Sequence, residues 1–242
     1  MVTPPLPLRF VMSAKRVEDL PPTKGEVAVV GRSNVGKSSL INAMAHRNAL
    51  AKVSKTPGRT QLLNLFELSA GYTVLDLPGY GYAQVPGNVR QTWAAMIEGY
   101  LQRRQNLATV ISLIDAEVGP TKLDVTTLEW LRFEGLRVQV VATKHDKVKP
   151  SKREKRQAEL AEGCGLEPSE ILWVSAAKAV NLDELRRRMH EWMQPDPARA
   201  TTVTEAPSKA KAKAKADAKN QKPKAAKQPA DASTMTNDED EW

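Results

Sequence analysis

The string Gly31-Arg32-Ser33-Asn34-Val35-Gly36-Lys37-Ser38 constrains this chain more than any other feature, because its spacing describes a device for holding a row of phosphates. Apolar Val27-Ala28-Val29-Val30 precedes it and Ser39-Leu40-Ile41-Asn42-Ala43-Met44-Ala45 follows, so it lies where a buried strand passes into a helix. The two glycines let backbone amides turn in on phosphate oxygens, and the helix that begins at Lys37 presents its positive N-terminal end. Lys37 is then placed to reach the β and γ phosphates, and the Ser38 hydroxyl to ligate Mg²⁺.

The pattern on either side supplies the rest of a fold. Short apolar runs at 26–30, 107–114, 138–142 and 171–174 read as buried parallel strands, and 62–68 with 72–75 read as a hairpin turned at Ser69-Ala70-Gly71. Helical stretches fall between them at 36–45, 89–103, 122–133, 152–162 and 182–192. Such alternation predicts an α/β fold: a mostly parallel six-stranded sheet with one antiparallel strand and helices on both faces, binding ligands at the carboxyl ends of its strands. Residues 1–24 are expected to form an N-terminal extension partly packed on a domain spanning 25–194. Residues 195–242 are expected to be a disordered tail, since they contain almost no large apolar side chain.

Three further segments fall at strand ends. Asp76-Leu77-Pro78-Gly79 would put a carboxylate on a Mg²⁺ water and the Gly79 amide near a γ-phosphate. In the loop ahead of it, Thr56-Pro57-Gly58-Arg59-Thr60-Gln61, the Thr60 hydroxyl is expected to complete the metal's oxygen shell. Thr143-Lys144-His145-Asp146 names the base: a carboxylate at Asp146 accepts from the paired N1 and N2 donors of guanine, which adenine does not offer. Lys144 would lie along that base. In the last segment, Val174-Ser175-Ala176-Ala177-Lys178, the amide near Ala176 would donate to the guanine O6.

In that order and those places, the segments resemble the five guanine-nucleotide motifs of the translation-factor-related GTPases. The strings Gly31 to Ser39, Thr56 to Gln61 and Asp76-Leu77-Pro78-Gly79-Tyr80-Gly81-Tyr82-Ala83 are similar to those of the EngB/YihA/YsxC family of bacterial ribosome-biogenesis GTP-binding proteins. The resemblance implies a Ras-like P-loop GTPase fold and Mg²⁺-dependent binding of GTP and GDP. It also implies a role with ribosomal RNA and proteins in large-subunit precursors, and a link to cell division and septation. It assigns nucleotide contacts to Gly31, Arg32, Ser33, Asn34, Val35, Gly36, Lys37, Ser38 and Ser39, then to Gly58, Arg59, Thr60, Gln61 and Leu62. Asp76, Leu77, Pro78 and Gly79 follow, with Thr143, Lys144, His145, Asp146, Val174, Ser175, Ala176 and Ala177 around the base. Lys37, Thr60 and Gly79 would serve hydrolysis. Asn34 resembles an asparagine that binds K⁺ in related GTPases; a turn-forming residue is an equal reading. Thr143 stands where many GTPases carry Asn, which predicts a looser loop. After Gly79 the chain has Tyr80 instead of the glutamine that orients water in Ras-like enzymes, so intrinsic hydrolysis is expected to be slow.

Composition narrows the setting. A single cysteine, Cys164, forms no internal disulfide, and His46, His145 and His190 have no zinc spacing, so a reducing compartment is expected. No run approaches membrane-spanning length, which predicts a cytoplasmic protein without a membrane partner, a monomer by default. The net charge is +8, and Lys147, Lys149, Lys152, Arg153, Lys155 and Arg156 crowd one loop and helix start. RNA contact and a solvated face are both open for that cluster, and RNA tethering or mere solubility for the Lys/Ala-rich tail. Two other readings remain beside a slow GTPase switch: an ATP-using enzyme, which Asp146 disfavours, and a non-hydrolysing scaffold that binds guanine nucleotide and RNA.

Overall fold

The computed structural model describes residues 3–51, 62–69, 71–80, 97–101 and 103–194, all within one compact unit. In chain order the elements are β1 (Arg9–Ala14), β2 (Gly25–Gly31), α1 (Lys37–Met44), β3 (Leu63–Ser69), β4 (Tyr72–Asp76), α2 (helical residues 97–101), β5 (Leu107–Asp115), α3 (Lys122–Phe133), β6 (Val138–Thr143), α4 (Arg153–Cys164), β7 (Leu172–Trp173) and α5 (Leu182–Trp192). The tail at 195–242 and most of the helix expected at 89–103 lie outside the described residues.

One sheet runs in the order β1-β3-β4-β2-β5-β6-β7. β3 is antiparallel to both of its neighbours, β1 and β4, while β2 pairs in parallel with β4 and β5, and β6 with β5 and β7. Only β3 therefore runs against the rest. The sheet has seven strands, not six, because the N-terminal segment adds β1 along the free edge of β3. Its register slips between Phe10 and Met12, and its first three residues are exposed, so no clean alternation announces it in the sequence.

Every residue of β2 and β5 is buried, as strands covered on both faces must be. Alternate side chains divide the core. Val27 and Val29 of β2 pack with Ile41 of α1 and with Leu185 and Met189 of α5. Ala28 and Val30 face Tyr100 and Leu101 of α2 and Leu131 of α3 on the opposite side. A third cluster joins Ile114 and Ala142 to Leu128, Leu160 and Trp173, under α3 and α4. From β2 the chain turns to β3 and β4 on one side and later to β5 on the other, so the end of β2 is the topological switch point where α/β sheets place ligands.

At the other end of β2 a charge is locked inside. Glu26 is fully buried and accepts from Thr73 Oγ1 (2.7 Å), Tyr100 Oη (2.6 Å) and Arg104 Nε (2.9 Å). Arg104 also donates to the Pro21 carbonyl at 2.6 Å, which pins the segment between β1 and β2. Breaking a buried pair from one side leaves the other charge uncompensated. Arg104→Met is therefore expected to cost about 3–5 kcal/mol of folding stability, read from urea unfolding monitored by tryptophan fluorescence; a loss under 1 kcal/mol would mean that the pair is dispensable.

Candidate functional site

The loop between β2 and α1 is shaped by its backbone. Gly36 has φ +108° and Asn34 φ +66°; the first demands glycine, and the second is a conformation that Asn tolerates better than most residues. Asn34 is exposed and Val35 buried, so the loop turns its polar side outward while its valine anchors it. Lys37 begins α1, is only 9% exposed, and directs Nζ to the Gly31 carbonyl at 3.4 Å. Burial lowers its pKa, and Asp76 opposes that shift. Ser38 and Ser39, partly exposed, occupy the same first turn, whose amides have no intrahelical partners. The far end of α1 is capped from α5: Arg186 donates to the Ala43 and Met44 carbonyls at 3.0 and 3.1 Å. The C-terminal end of the helix is thus held.

Asp76 ends β4, directly beside β2. It is 2% exposed, and burial pushes its carboxyl up to about 6 against the opposing pull of Lys37 and Asn64. Its Oδ1 is buried with no hydrogen-bond partner. A hard carboxylate oxygen left without a donor, close to Lys37 and one strand away from the Ser38 hydroxyl, suits a Mg²⁺ ion or its water. Gly79 lies tight against the loop. A Cβ built there would stand 3.0 Å from Lys37 Nζ, Ser33 Cα and Ser33 N, so any side chain would press on the loop's backbone. Leu77 is fully buried and Pro78 buried between them.

The loop after β6 is joined to this phosphate-side geometry. Thr143 Oγ1 donates to the Val35 carbonyl at 2.6 Å and lies 3.3 Å from that of Ile114. In place of the looser loop expected from threonine, its hydroxyl ties the two loops together. Lys144 takes φ +57° and gives its ammonium to Asp115 Oδ2 at 2.6 Å; Asp115 in turn accepts from the amides of Glu117 and Val118 through Oδ1. Asp146 Oδ1 accepts from Ser175 Oγ at 2.6 Å, and the same oxygen of Ser175 receives the Lys178 amide at 3.0 Å. Backbone bonds between Ser175 and Val180 close the loop that carries Ala176 and Ala177, and Val174 accepts the His145 amide at 3.1 Å. The His145 ring turns away from Asp146 to meet Trp173 edge-on at 5.7 Å, with Nε2 buried and its pKa lowered by burial.

Two functional positions carry no sequence signal that singled them out: Asp115, which aims Lys144, and Asp124. Asp124 is buried completely at the third position of α3 and receives the Thr121 amide (2.9 Å) and hydroxyl (2.7 Å) in a capping box. It also accepts from the Tyr80 hydroxyl at 3.0 Å, and Arg32 Nε lies 3.1 Å from its Oδ2, an ion pair off the hydrogen-bond direction. Burial and Asp124 together raise the Tyr80 pKa well above that of a free phenol. Thr121 and Asp124 have the T-x-x-D spacing of a capping box, whereas the reach of the acid to Arg32 and Tyr80 depends on the tertiary fold.

Gly58, Arg59, Thr60 and Gln61 lie outside the described residues, as do Gly81, Tyr82 and Ala83, while Leu62 stands half-buried just before β3. In the basic run Arg153 and Arg156 donate to the Val148 and Val118 carbonyls, whereas Lys147, Lys149, Lys152 and Lys155 are exposed. No metal-binding cluster of three or more His, Cys, Asp or Glu occurs among the described residues, and none of their helices is long and apolar enough to cross a membrane.

A family model described as "50S ribosome-binding GTPase" matches residues 26–144. A protein of Pelotomaculum thermopropionicum described as "Probable GTP-binding protein EngB" is 42% identical over 186 residues, 76% of this chain and 94% of that protein. One of the same description from Geotalea daltonii is 41% identical over 201 residues, 83% and 96% of the two. Among solved structures, a probable GTP-binding protein engB superposes with a TM-score of 0.59 at 24% identity, covering 70% of this chain and 99% of that one. Era from Aquifex aeolicus, bound to GDP and aluminium fluoride, reaches 0.54 at 26% identity over 71% of this chain and 57% of its own. With relatives above 40% identity matched over nearly their whole length, the chain belongs to the EngB family of GTP-binding proteins.

Proposed function

We propose that this protein is a Mg²⁺-dependent GTP switch with slow intrinsic hydrolysis, acting on large ribosomal subunit precursors in the cytoplasm. The observation that carries the reading is the Asp146 carboxylate, oriented by the Ser175 hydroxyl at 2.6 Å at the mouth of a site whose phosphate loop is tied in through Thr143. Ser175 engages one carboxylate oxygen and leaves the other to accept from a base with adjacent N–H donors, which means guanine. Lys144, braced by Asp115, supplies a flat aliphatic stem for that base to lie against. Lys37 and the α1 N-terminus neutralise the phosphates; Ser38, Asp76 and Thr60 are the metal's protein and water partners. Mg²⁺, when bound, supplies positive charge at the β and γ oxygens where negative charge builds during transfer.

Slowness follows from Tyr80. Its phenol is held protonated and engaged by Asp124, so it offers no base and no amide to aim a water. K⁺ near Asn34 would add positive charge to the phosphates; equal turnover in K⁺ and Na⁺ would dismiss it. The ribosomal assignment is supported by the family model's description and by the exposed lysines at 147, 149, 152 and 155, whose charge suits RNA phosphates. The link to cell division and septation rests on the family resemblance.

Displacement of labelled GDP should need at least 10²-fold more ATP than GTP, and Asp146→Asn should transfer the preference to xanthine nucleotides; equal competition by ATP would remove the guanine reading. Co-sedimentation with large-subunit precursors is expected with a slow GTP analogue and weaker with GDP, while identical binding in both states would leave only a scaffold. For Asp76 the sign runs against function. Burial raises its folded pKa to about 6, above the ~4 of an ordinary aspartate, so in nucleotide-free protein its stabilising contribution is full at pH below about 4 and lost as the pH rises through about 6. Asp76→Asn should therefore raise nucleotide-free stability at pH 7.5 by up to ~3 kcal/mol and leave it unchanged near pH 4, while weakening Mg²⁺-dependent GTP binding at least tenfold. A lower melting temperature at pH 7.5 would show that the buried carboxylate is not the strained group.

A further inference from the structure

The side chain one residue before Asp146 is buried where a histidine has no obvious reason to be. The chain leaves β6 at Thr143, passes through Lys144 in the left-handed region and a single 3-10 turn at His145–Lys147, and re-enters the interior at Val148. A non-glycine residue in that conformation costs free energy and persists only where its surroundings fix it. Thr143 and Val148 are buried at the two ends of the turn. Between them the His145 ring points inward, with Nε2 buried and without a partner.

What the ring meets is Trp173, edge-on, with centroids 5.7 Å apart and planes at 69°, a favourable geometry for two aromatic rings. Trp173 is itself fixed. It packs with Ala142, Val148 and Leu160, and its carbonyl accepts from Asn181 Nδ2 at 2.7 Å. The ring contact is one of three rungs between the same two loops: the His145 amide donates to the Val174 carbonyl at 3.1 Å, and Ser175 Oγ donates to Asp146 Oδ1 at 2.6 Å. Successive residues of one loop thus meet successive residues of the other, and the most buried rung, His145 on Trp173, fixes the turn from which the Asp146 carboxylate projects.

We propose that His145 is a positioning residue for guanine recognition: its neutral ring, seated on Trp173, holds the turn that presents Asp146, and protonation of the ring releases that turn. This role rests on the guanine-nucleotide reading of the site and adds a proton-sensitive element to it. The seat suits the neutral ring alone. A charged imidazole carries a hydrogen on both nitrogens, and no acceptor meets Nε2 there, so the imidazolium is driven towards water and takes its rung with it. Among the charged groups that act on the ring, Arg153 of α4 disfavours a second positive charge and Asp146 favours one, while Trp173 from β7 carries none. Burial and Arg153 prevail, and the pKa lies below the ordinary 6.5. The seated ring therefore contributes in full above about pH 6.5, and its contribution is lost as the pH falls towards the lowered value.

Titration calorimetry of the full chain with GDP, at about pH 8 and about pH 5, tests this. The comparison of variants with wild type cancels the titration of Asp76 and of the phosphate, which all of them share. His145→Ala removes the ring and should weaken GDP binding about twofold to tenfold at the higher pH, the scale of one aromatic pair. His145→Phe keeps an aromatic ring that takes no proton; it should recover part of that loss and should lose at least about threefold less affinity than wild type between the two pH values. His190→Gln, on the exposed side of α5, is the control and should follow the wild-type profile. Trp173→Leu should weaken binding as His145→Ala does, and the two should not add. A pH profile in His145→Phe equal to that of wild type overturns the proposal, as does wild-type affinity in His145→Ala at the higher pH. Wild-type protein that binds no guanine nucleotide at either pH overturns the functional reading along with it, whereas binding with equal profiles overturns the role of His145 alone. Should Trp173→Leu fail to fold, the two His145 variants decide the matter.

Discussion

A single hydroxyl holds the two halves of the site in register. Thr143 Oγ1 donates to the Val35 carbonyl across 2.6 Å, joining the end of β6, which leads to Asp146, to the loop after β2, which leads to Lys37. Between them in the sheet lies β5, paired with both. That spacing is a property of parallel strands about 4.8 Å apart, and it sets the distance from a base to its phosphates without any further device. A Val35 carbonyl facing inward needs a donor in any case, since an unmet buried acceptor costs about 1–3 kcal/mol. Meeting that need from the base loop makes the phosphate loop's own stability depend on the neighbouring site.

Much of this could be read from the chain. The strand and helix runs were visible because apolar residues cluster at the strands and recur with helical spacing between them, and β2, α1, β4, β6 and α3 fall where those patterns put them, within a residue or so at the ends. The seventh strand was not visible. β1 lies on an edge, exposed over half its length and slipped at Phe10, and an edge strand owes its place to the neighbour it pairs with more than to its own pattern. Leu6 and Leu8 of that N-terminal segment are both nearly fully buried.

In the site the division is different. The candidate ligand-binding residues were legible because the chemistry of the ligand proposed for them fixes their types and order: two glycines, a lysine and a serine for phosphates, a carboxylate for guanine. Residues that aim them were not, because many side chains can hold a lysine stem or a tyrosine hydroxyl, and which one does so depends on the tertiary neighbours. Asp115 and Asp124 read in sequence as a strand-end acid and a helix-start acid. Only with β5, β6 and α3 assembled does the first face Lys144 and the second face Tyr80 and Arg32.

Buried carboxylates recur as the means of fixing geometry in this molecule, and their energetics differ in an informative way. Glu26 and Asp124 are surrounded by donors from several elements, so the cost of removing each charge from water is offset by directed bonds and the charge stays where it is put. Asp76 has no such shell: its Oδ1 is without a partner and its carboxyl is driven up to about 6. A carboxylate kept short of donors in the interior is a local cost that the fold bears. The same strand end that would hold the metal thus leads, through Leu77, Pro78 and Gly79, to Tyr80 and the well-satisfied Asp124. Within four residues the chain passes from a carboxylate oxygen without a partner to a tyrosine hydroxyl that donates to Asp124.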